Sequence, residues 1–125
     1  MNTELVKANT EFYSAFSSLD SERFFQCCLQ SSQDICTHPG WSPIFGWDNI
    51  FPSWLRIISN LDYIQIVPSD VHAVVHGEMA WVHCIENIYS LSGVEKQAGQ
   101  VAATNIFVHN SDGWKLSVHH GSPIS

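Results

Sequence analysis

The sequence predicts an α+β domain in which three N-terminal helices pack on a curved antiparallel sheet and enclose a pocket. Three observations lead there. Apolar residues recur at helical spacing through most of the first sixty positions. The second half is a series of β-branched and aromatic runs separated by hairpin turns. The two patterns follow one another without interleaving, which separates α+β from alternating α/β architectures. At 125 residues, 45% hydrophobic and 14% charged, the chain reads as one domain, 1–125, able to bury a core.

Residues 3 to 18 form the first expected helix, with Leu5, Ala8, Phe12, Ala15, Phe16 and Leu19 on one stripe and Asn2 or Thr3 as cap. Asp20 caps a second helix carrying Arg23, Phe24, Cys27 and Cys28, and Ser31 to Asp34 ends it. Ile35-Cys36-Thr37 is a brief strand, too short for a helix before Pro39. Thr37 to Gly46 then packs a histidine, a tryptophan and several glycine and proline breaks into ten residues, and reads as a pocket rim. A third helix runs from about Asp48 to Asn60, with Pro52 tolerable only in its first turn, where a missing N–H costs little. Phe51, Trp54, Leu55, Ile58 and Leu61 make its apolar face.

Strands follow. Ile64 to Ile66 is a lead-in broken by Pro68, and Val71 to His76 is a strand. Gly77-Glu78 turns it into a long strand from Met79 to Leu91. Gln97 to His109 and Trp114 to Ser122 form the last hairpin, turned by Asn110 to Gly113. Alternation sorts the faces. Counting back from Gly77-Glu78 sets His72 against His83 and puts Val82, Cys84 and Glu86 under the helices. Counting back from the last turn adds Asn105 and His120 to that concave face. It leaves Trp81, His72, His83, Ile106 and His119 on the outer one. A slip of one residue inverts such an assignment. The outer face, with Trp81, Ile85, Tyr89, Ile106 and Val108, is too apolar for water and predicts a second copy across a two-fold axis.

Composition excludes several functions. The formal net charge is -7, and the five fixed cations Lys7, Arg23, Arg56, Lys96 and Lys115 are scattered, which argues against nucleic-acid binding. No apolar run reaches the roughly 20 residues of a membrane span, and the N-terminus lacks a signal-peptide pattern. A cytoplasmic protein is expected. Cys27, Cys28, Cys36 and Cys84 show no Cys-x-x-Cys spacing and read as reduced thiols.

Thr37-His38-Pro39, Pro43-Ile44-Phe45-Gly46, Gly77 to Val82, Thr104 to Val108 and above all Asp112-Gly113-Trp114-Lys115-Leu116-Ser117-Val118-His119-His120-Gly121-Ser122 resemble the SnoaL-like branch of the nuclear-transport-factor-2-like superfamily. The resemblance covers residues 4 to 123. Residues 71 to 122 are similar also to the association domain of calmodulin-dependent kinases. It implies a cone-like domain with a deep pocket, usually a homodimer through the sheet. Members include steroid isomerases, dehydratases, polyketide cyclases and non-enzymatic assembly modules. In ketosteroid isomerase-like members an Asp directly before the Pro is the general base, and His38 stands at that position here. The acid or base that polyketide cyclases carry on the sheet has no clear match. The association domain's arginine is replaced at Glu86 and Asn105, which argues against a small acid as ligand.

The candidate catalytic residues are therefore His38, Glu86 and His120. His38 is either a general base titrating near neutrality or a loop histidine that braces the turn. Glu86 either forms an acid/base pair with His120 or is a buried carboxylate satisfied by Asn105, His120 or Tyr13. Tyr13, Trp41, Trp54 and Asn105 are the candidate ligand contacts, Trp41 by stacking from the Gly/Pro loop. His72, His76, His83 and His119 lack a metal-binding spacing and read as surface or interface residues. The expected function is binding of a small, mostly apolar molecule, with cofactor-free isomerisation, dehydration or cyclisation as its chemistry. A non-catalytic ligand-binding or oligomerisation module is the alternative, and a metal-bound oligomer a third.

Overall fold

The stripe Leu5, Asn9, Phe12, Tyr13, Phe16 repeats every three or four residues and winds into α1 (Thr3–Ser18) with that face buried. Asn2 occupies the N-cap, but its side chain donates to the Ala73 carbonyl instead of capping. Asp20 caps α2 (Ser21–Phe25) by accepting from the Arg23 amide. That helix is shorter than expected. Cys27 and Cys28 lie beyond it, because the backbone of Cys27 and Leu29 bonds to Leu116 across a β-bridge. The computed structural model describes residues 2–125, and among them no helix is long and apolar enough to cross a membrane.

Two short strands, β1 (Ile35–Thr37) and β2 (Ile44–Phe45), flank the rim loop, and α3 (Trp47–Ser59) follows from Gly46. Gly46 has φ +83°, and a Cβ there would sit 3.3 Å from the Ser32 carbonyl oxygen, so glycine is needed on both counts. Pro52 falls in the second turn of α3, not the first, and removes the amide that would ordinarily bond the Asp48 carbonyl.

Four long strands complete the domain: β3 (Tyr63–His76), β4 (Met79–Ser92), β5 (Glu95–Asn110) and β6 (Gly113–Ile124). The six-stranded order is β2-β1-β6-β5-β4-β3. The sheet is curved and unclosed, with helices on its concave side. It is mixed and not purely antiparallel, because β1 runs parallel to β6. Pro68 does not break β3. As the edge strand β3 has one side without ladder partners, where a missing N–H is tolerated, and the irregularity falls instead between Ser69 and His72, at Asp70 with φ 51°. His72 pairs with His83, Val74 with Trp81 and His76 with Met79, as the turn predicts.

The last hairpin departs from simple alternation. Phe107 pairs with Leu116 but Ile106 with Val118, so Ser117 is an extra residue, a β-bulge. The bulge sits where β6 exchanges one neighbour for another: Leu116 bonds to the Cys27–Leu29 segment, and Val118 begins the ladder with β1. The Ser117 hydroxyl donates to Asp34 Oδ1 at 3.0 Å, and Asp34 Oδ2 accepts from the Ser31 amide. The phase of every residue after Ser117 is thereby inverted. His119, not His120, faces the core opposite Asn105, and His120 is exposed.

Phe12, Phe24 and Trp54 form the centre of the core, with Trp54 and Phe24 ring centroids 4.7 Å apart. Each such side chain contributes about 1.5–3 kcal/mol by leaving water.

Candidate functional site

Residues from α1, the rim loop, α3 and all four long strands line a cavity of about 460 Å³. Its walls are mostly apolar: Phe12, Phe16, Trp41, Trp54 and Ile88 are among them. The buried polar side chains on its wall include Tyr13, His38, Glu86 and His119.

Glu86 reaches the cavity because β4 alternates Cys84, Glu86, Ile88 inward. It is 4% exposed. The Tyr13 hydroxyl donates to Glu86 Oε2 at 2.7 Å. Burial pushes the Glu86 carboxyl up to about 7, against the Tyr13 hydrogen bond, which lowers it. Tyr13 itself is held protonated, first by burial and then by the neighbouring Glu86 and Cys84.

The donors and acceptors around Asn105 fix the state of His119. Tyr13 spends its proton on Glu86, so its oxygen accepts from Asn105 Nδ2 at 2.9 Å. Asn105 Nδ2 also donates to Asn9 Oδ1 at 2.9 Å. The Asn105 oxygen therefore faces His119, and it can only accept, so His119 Nδ1 carries the proton of that 2.6 Å bond. Nε2 is left with its lone pair. It lies 4.0 Å from Glu86 Oε2. Burial, then the proximity of His38 and His120, pushes His119 down to about 3. At neutral pH this is a neutral imidazole beside a half-ionised carboxyl, not an ion pair.

His38 follows β1 on the far side of the same cavity. The parallel β1–β6 ladder sets Thr37 opposite His120, which brings Pro39 against Gly121. A Cβ on Gly121 would fall 2.9 Å from Pro39 Cγ, so that glycine permits the close approach. His38 Nε2 is 2.8 Å from Ser53 Oγ. Ser53 donates its own proton to the Ile50 carbonyl at 2.6 Å, so His38 donates to Ser53 through Nε2. Its ring stands edge-on to Trp41 and Trp54, and burial lowers it to about 4.

The expected site residues divide accordingly. Tyr13, His38, Glu86, Trp41 and Trp54 line the cavity. Asn105 does not line it and stands behind the wall, fully buried, bonded to three neighbours. His120 is exposed and leaves the site, and His119 takes its place because of the bulge at Ser117. That move also separates His119 from His72 and His83 on the outer face, and no metal-sized cluster of His, Cys, Asp or Glu occurs among the described residues. Sequence reasoning missed Asn9 and Ser53. Asn9 was legible as a polar residue on the apolar stripe of α1, facing the same side as Tyr13.

The family model of the SnoaL-like domain matches residues 5–125. No curated protein matches the chain. Among solved structures, a protein of the NTF2-like family from Streptomyces avermitilis, provisionally assigned as a dehydratase, is 33% identical. The match covers 98% of this chain and 95% of that one, with a TM-score of 0.92. An NTF2-like superfamily protein from Salmonella enterica shares the fold at 13% identity, 99% and 91% coverage and a TM-score of 0.89. So does a provisionally assigned calcium/calmodulin-dependent protein kinase type II association domain from Thiobacillus denitrificans, at 22% identity, 94% and 93% coverage and a TM-score of 0.78.

Proposed function

The chain belongs to the SnoaL-like domain family, and we propose that its cavity binds a small, mostly apolar molecule and moves a proton on it, as an isomerase or dehydratase does. One observation carries the reading: a carboxyl held near pKa 7 opens onto an apolar cavity, with the unprotonated Nε2 of a neutral imidazole 4.0 Å away. A group that titrates near the working pH both takes and returns protons.

In an isomerisation of a β,γ-unsaturated ketone, the Glu86 carboxylate removes the proton from the carbon between the carbonyl and the double bond and leaves a dienolate. The resulting Glu86 carboxyl returns that proton to the far carbon of the dienolate, and the carboxylate is regenerated. His119 Nε2 is acceptor only, so it holds a hydroxyl O–H of the ligand. In a dehydration, the Glu86 carboxyl protonates the departing hydroxyl, which leaves as water, while His119 Nε2 receives the proton from carbon and passes it back to Glu86, 4.0 Å away, so that both groups return to their starting states. Tyr13 and Asn105 orient the two groups. His38, with Nε2 committed to Ser53, braces the rim. The provisional dehydratase assignment of the Streptomyces avermitilis relative supports the same reaction class.

The test is exchange of α-protons in D2O, followed by NMR for a panel of small alicyclic ketones. The wild type exchanges them faster than buffer, and Glu86→Gln does not. Equal exchange by both proteins contradicts the reading.

A second reading rests on the outer face of the sheet, where Val74, Met79 and Trp81 are exposed in the single chain. The face fits a homodimer, with or without catalysis, and the association-domain relative supports an assembling role. Light scattering of the wild type gives twice the chain mass, and Trp81→Lys gives the chain mass. A monomeric wild type removes this reading.

A further inference from the structure

The charge of the cavity wall selects its ligand. Of the five fixed cations in the chain, none lines the cavity. Its two histidines are buried and hold no proton beyond the neutral ring at neutral pH. Glu86 is the single carboxylate on the wall. Its hydrogen bond to Tyr13 engages Oε2, and no partner for Oε1 occurs among the described residues. Among the described residues no buried side-chain oxygen is left unsatisfied, so Oε1 keeps accessible surface, and the surface at hand is the cavity. Five aromatic rings, those of Phe12, Tyr13, Phe16, Trp41 and Trp54, share the wall. An anion placed here meets a carboxylate and the negative faces of rings, and no cation offsets its loss of water. An ammonium meets a counter-charge and ring faces together. The net charge of -7 favours the same sign of ligand from a distance.

We propose that the cavity recognises an apolar amine, its hydrocarbon part against the aromatic wall and its ammonium on Glu86 Oε1. This deepens the reading of the cavity as a ligand site and does not depend on catalysis. Arg56 lines an adjoining groove that also holds Glu95 and shares Trp41, Ile57 and Leu61 with the cavity, but Arg56 is not on the cavity wall itself.

A matched series tests this: 4-phenylbutylamine, 4-phenylbutanol and 4-phenylbutyrate displacing the neutral dye N-phenyl-1-naphthylamine at pH 8. The amine is expected to bind tighter than the alcohol by roughly tenfold and tighter than the acid by more, from charge pairing and cation–π contact. Glu86→Gln, which keeps the acceptor for Tyr13, brings the amine-to-alcohol ratio to within about twofold. A second measurement needs no variant. The groups facing Glu86 are Tyr13 from α1, Cys84 from β4 and His119 from β6; the first two stay protonated and the third neutral between pH 6 and 8. Of the groups at this point of the wall Glu86 is the one that changes charge in that window, so the amine-to-alcohol ratio rises with pH. A carboxylate that binds as well as the amine overturns the proposal, as does a ratio that is flat in pH or survives Glu86→Gln. If the dye and the alcohol bind without charge preference, only this inference fails. If neither binds, the ligand-site reading fails with it.

Discussion

Two buried histidines face one cavity and differ in what they are bonded to. His38 is 2% exposed and His119 4%, and burial holds both neutral. His38 donates to Ser53, which passes its own proton to a backbone carbonyl inside α3. That chain ends in the helix on a backbone carbonyl and reaches no group that titrates near neutrality. His119 donates to Asn105, which is held by Asn9 and Tyr13, and Tyr13 ends on Glu86. This second chain ends on a group that titrates near 7 and opens to the cavity. Trp54 stands between the two imidazoles, with ring centroids 4.5 Å from His38 and 5.6 Å from His119. The lesson is that position on a pocket wall does not make an acid–base residue. The far end of its hydrogen-bond chain does.

The comparison breaks most visibly at Glu86. Glu86→Gln lowers α-proton exchange by about 100-fold or more while circular dichroism stays native. His38→Gln changes exchange by less than about tenfold, the size of a positional disturbance. Equal losses in the two variants would abolish the distinction. Asn105→Leu comes next. It strands the buried polar ends of Asn9, Tyr13 and His119 and lowers unfolding free energy in urea by about 2–3 kcal/mol. It also releases His119 from its single tautomer, seen as a change in the imidazole 15N shifts.

The pH dependence of stability sharpens the same contrast. A raised carboxyl disfavours the folded state once ionised, so the Glu86 contribution is full below about pH 4.5 and is lost as pH rises to about 7. The histidines act oppositely, since their lowered values make the fold lose stability as pH falls below 6.5. Stability is therefore greatest near pH 6.5. Glu86→Gln removes only the alkaline-side loss, so its stability relative to wild type improves by about 2 kcal/mol between pH 5 and pH 8. His38→Gln breaks the Ser53 contact and costs about 1–2 kcal/mol. Gly121→Ala drives a methyl against Pro39, costs about 1 kcal/mol, and shifts the His38 loop without altering the Glu86 titration.

Most of the fold was legible because its signals are local. Helical spacing placed α1 and α3, and the Gly77-Glu78 turn fixed the pairing of β3 with β4 down to His72 and His83. The concave placement of Glu86 followed from that turn. The last strand failed for a reason that alternation cannot reveal. His119 and His120 are adjacent, so either phase puts a histidine inward, and the bulge that chooses between them is set by Asp34, eighty-three residues away from Ser117. The parallel partner of β6 was illegible in the same way, because β1 is three residues long and its pairing is decided by tertiary contact. Asn105 was read as inward-facing, and it is. Its bonds turn it toward His119 and Tyr13 and not toward a ligand.

On the proposed reading Glu86, and not His38, gains and loses a proton at neutral pH. Titration of the side-chain carboxyl carbons in protein labelled with [δ-13C]glutamate measures it directly. One resonance, absent in Glu86→Gln, is expected to have its midpoint near 7. A Glu86 midpoint in the ordinary carboxylate range, near 4.5, would contradict it.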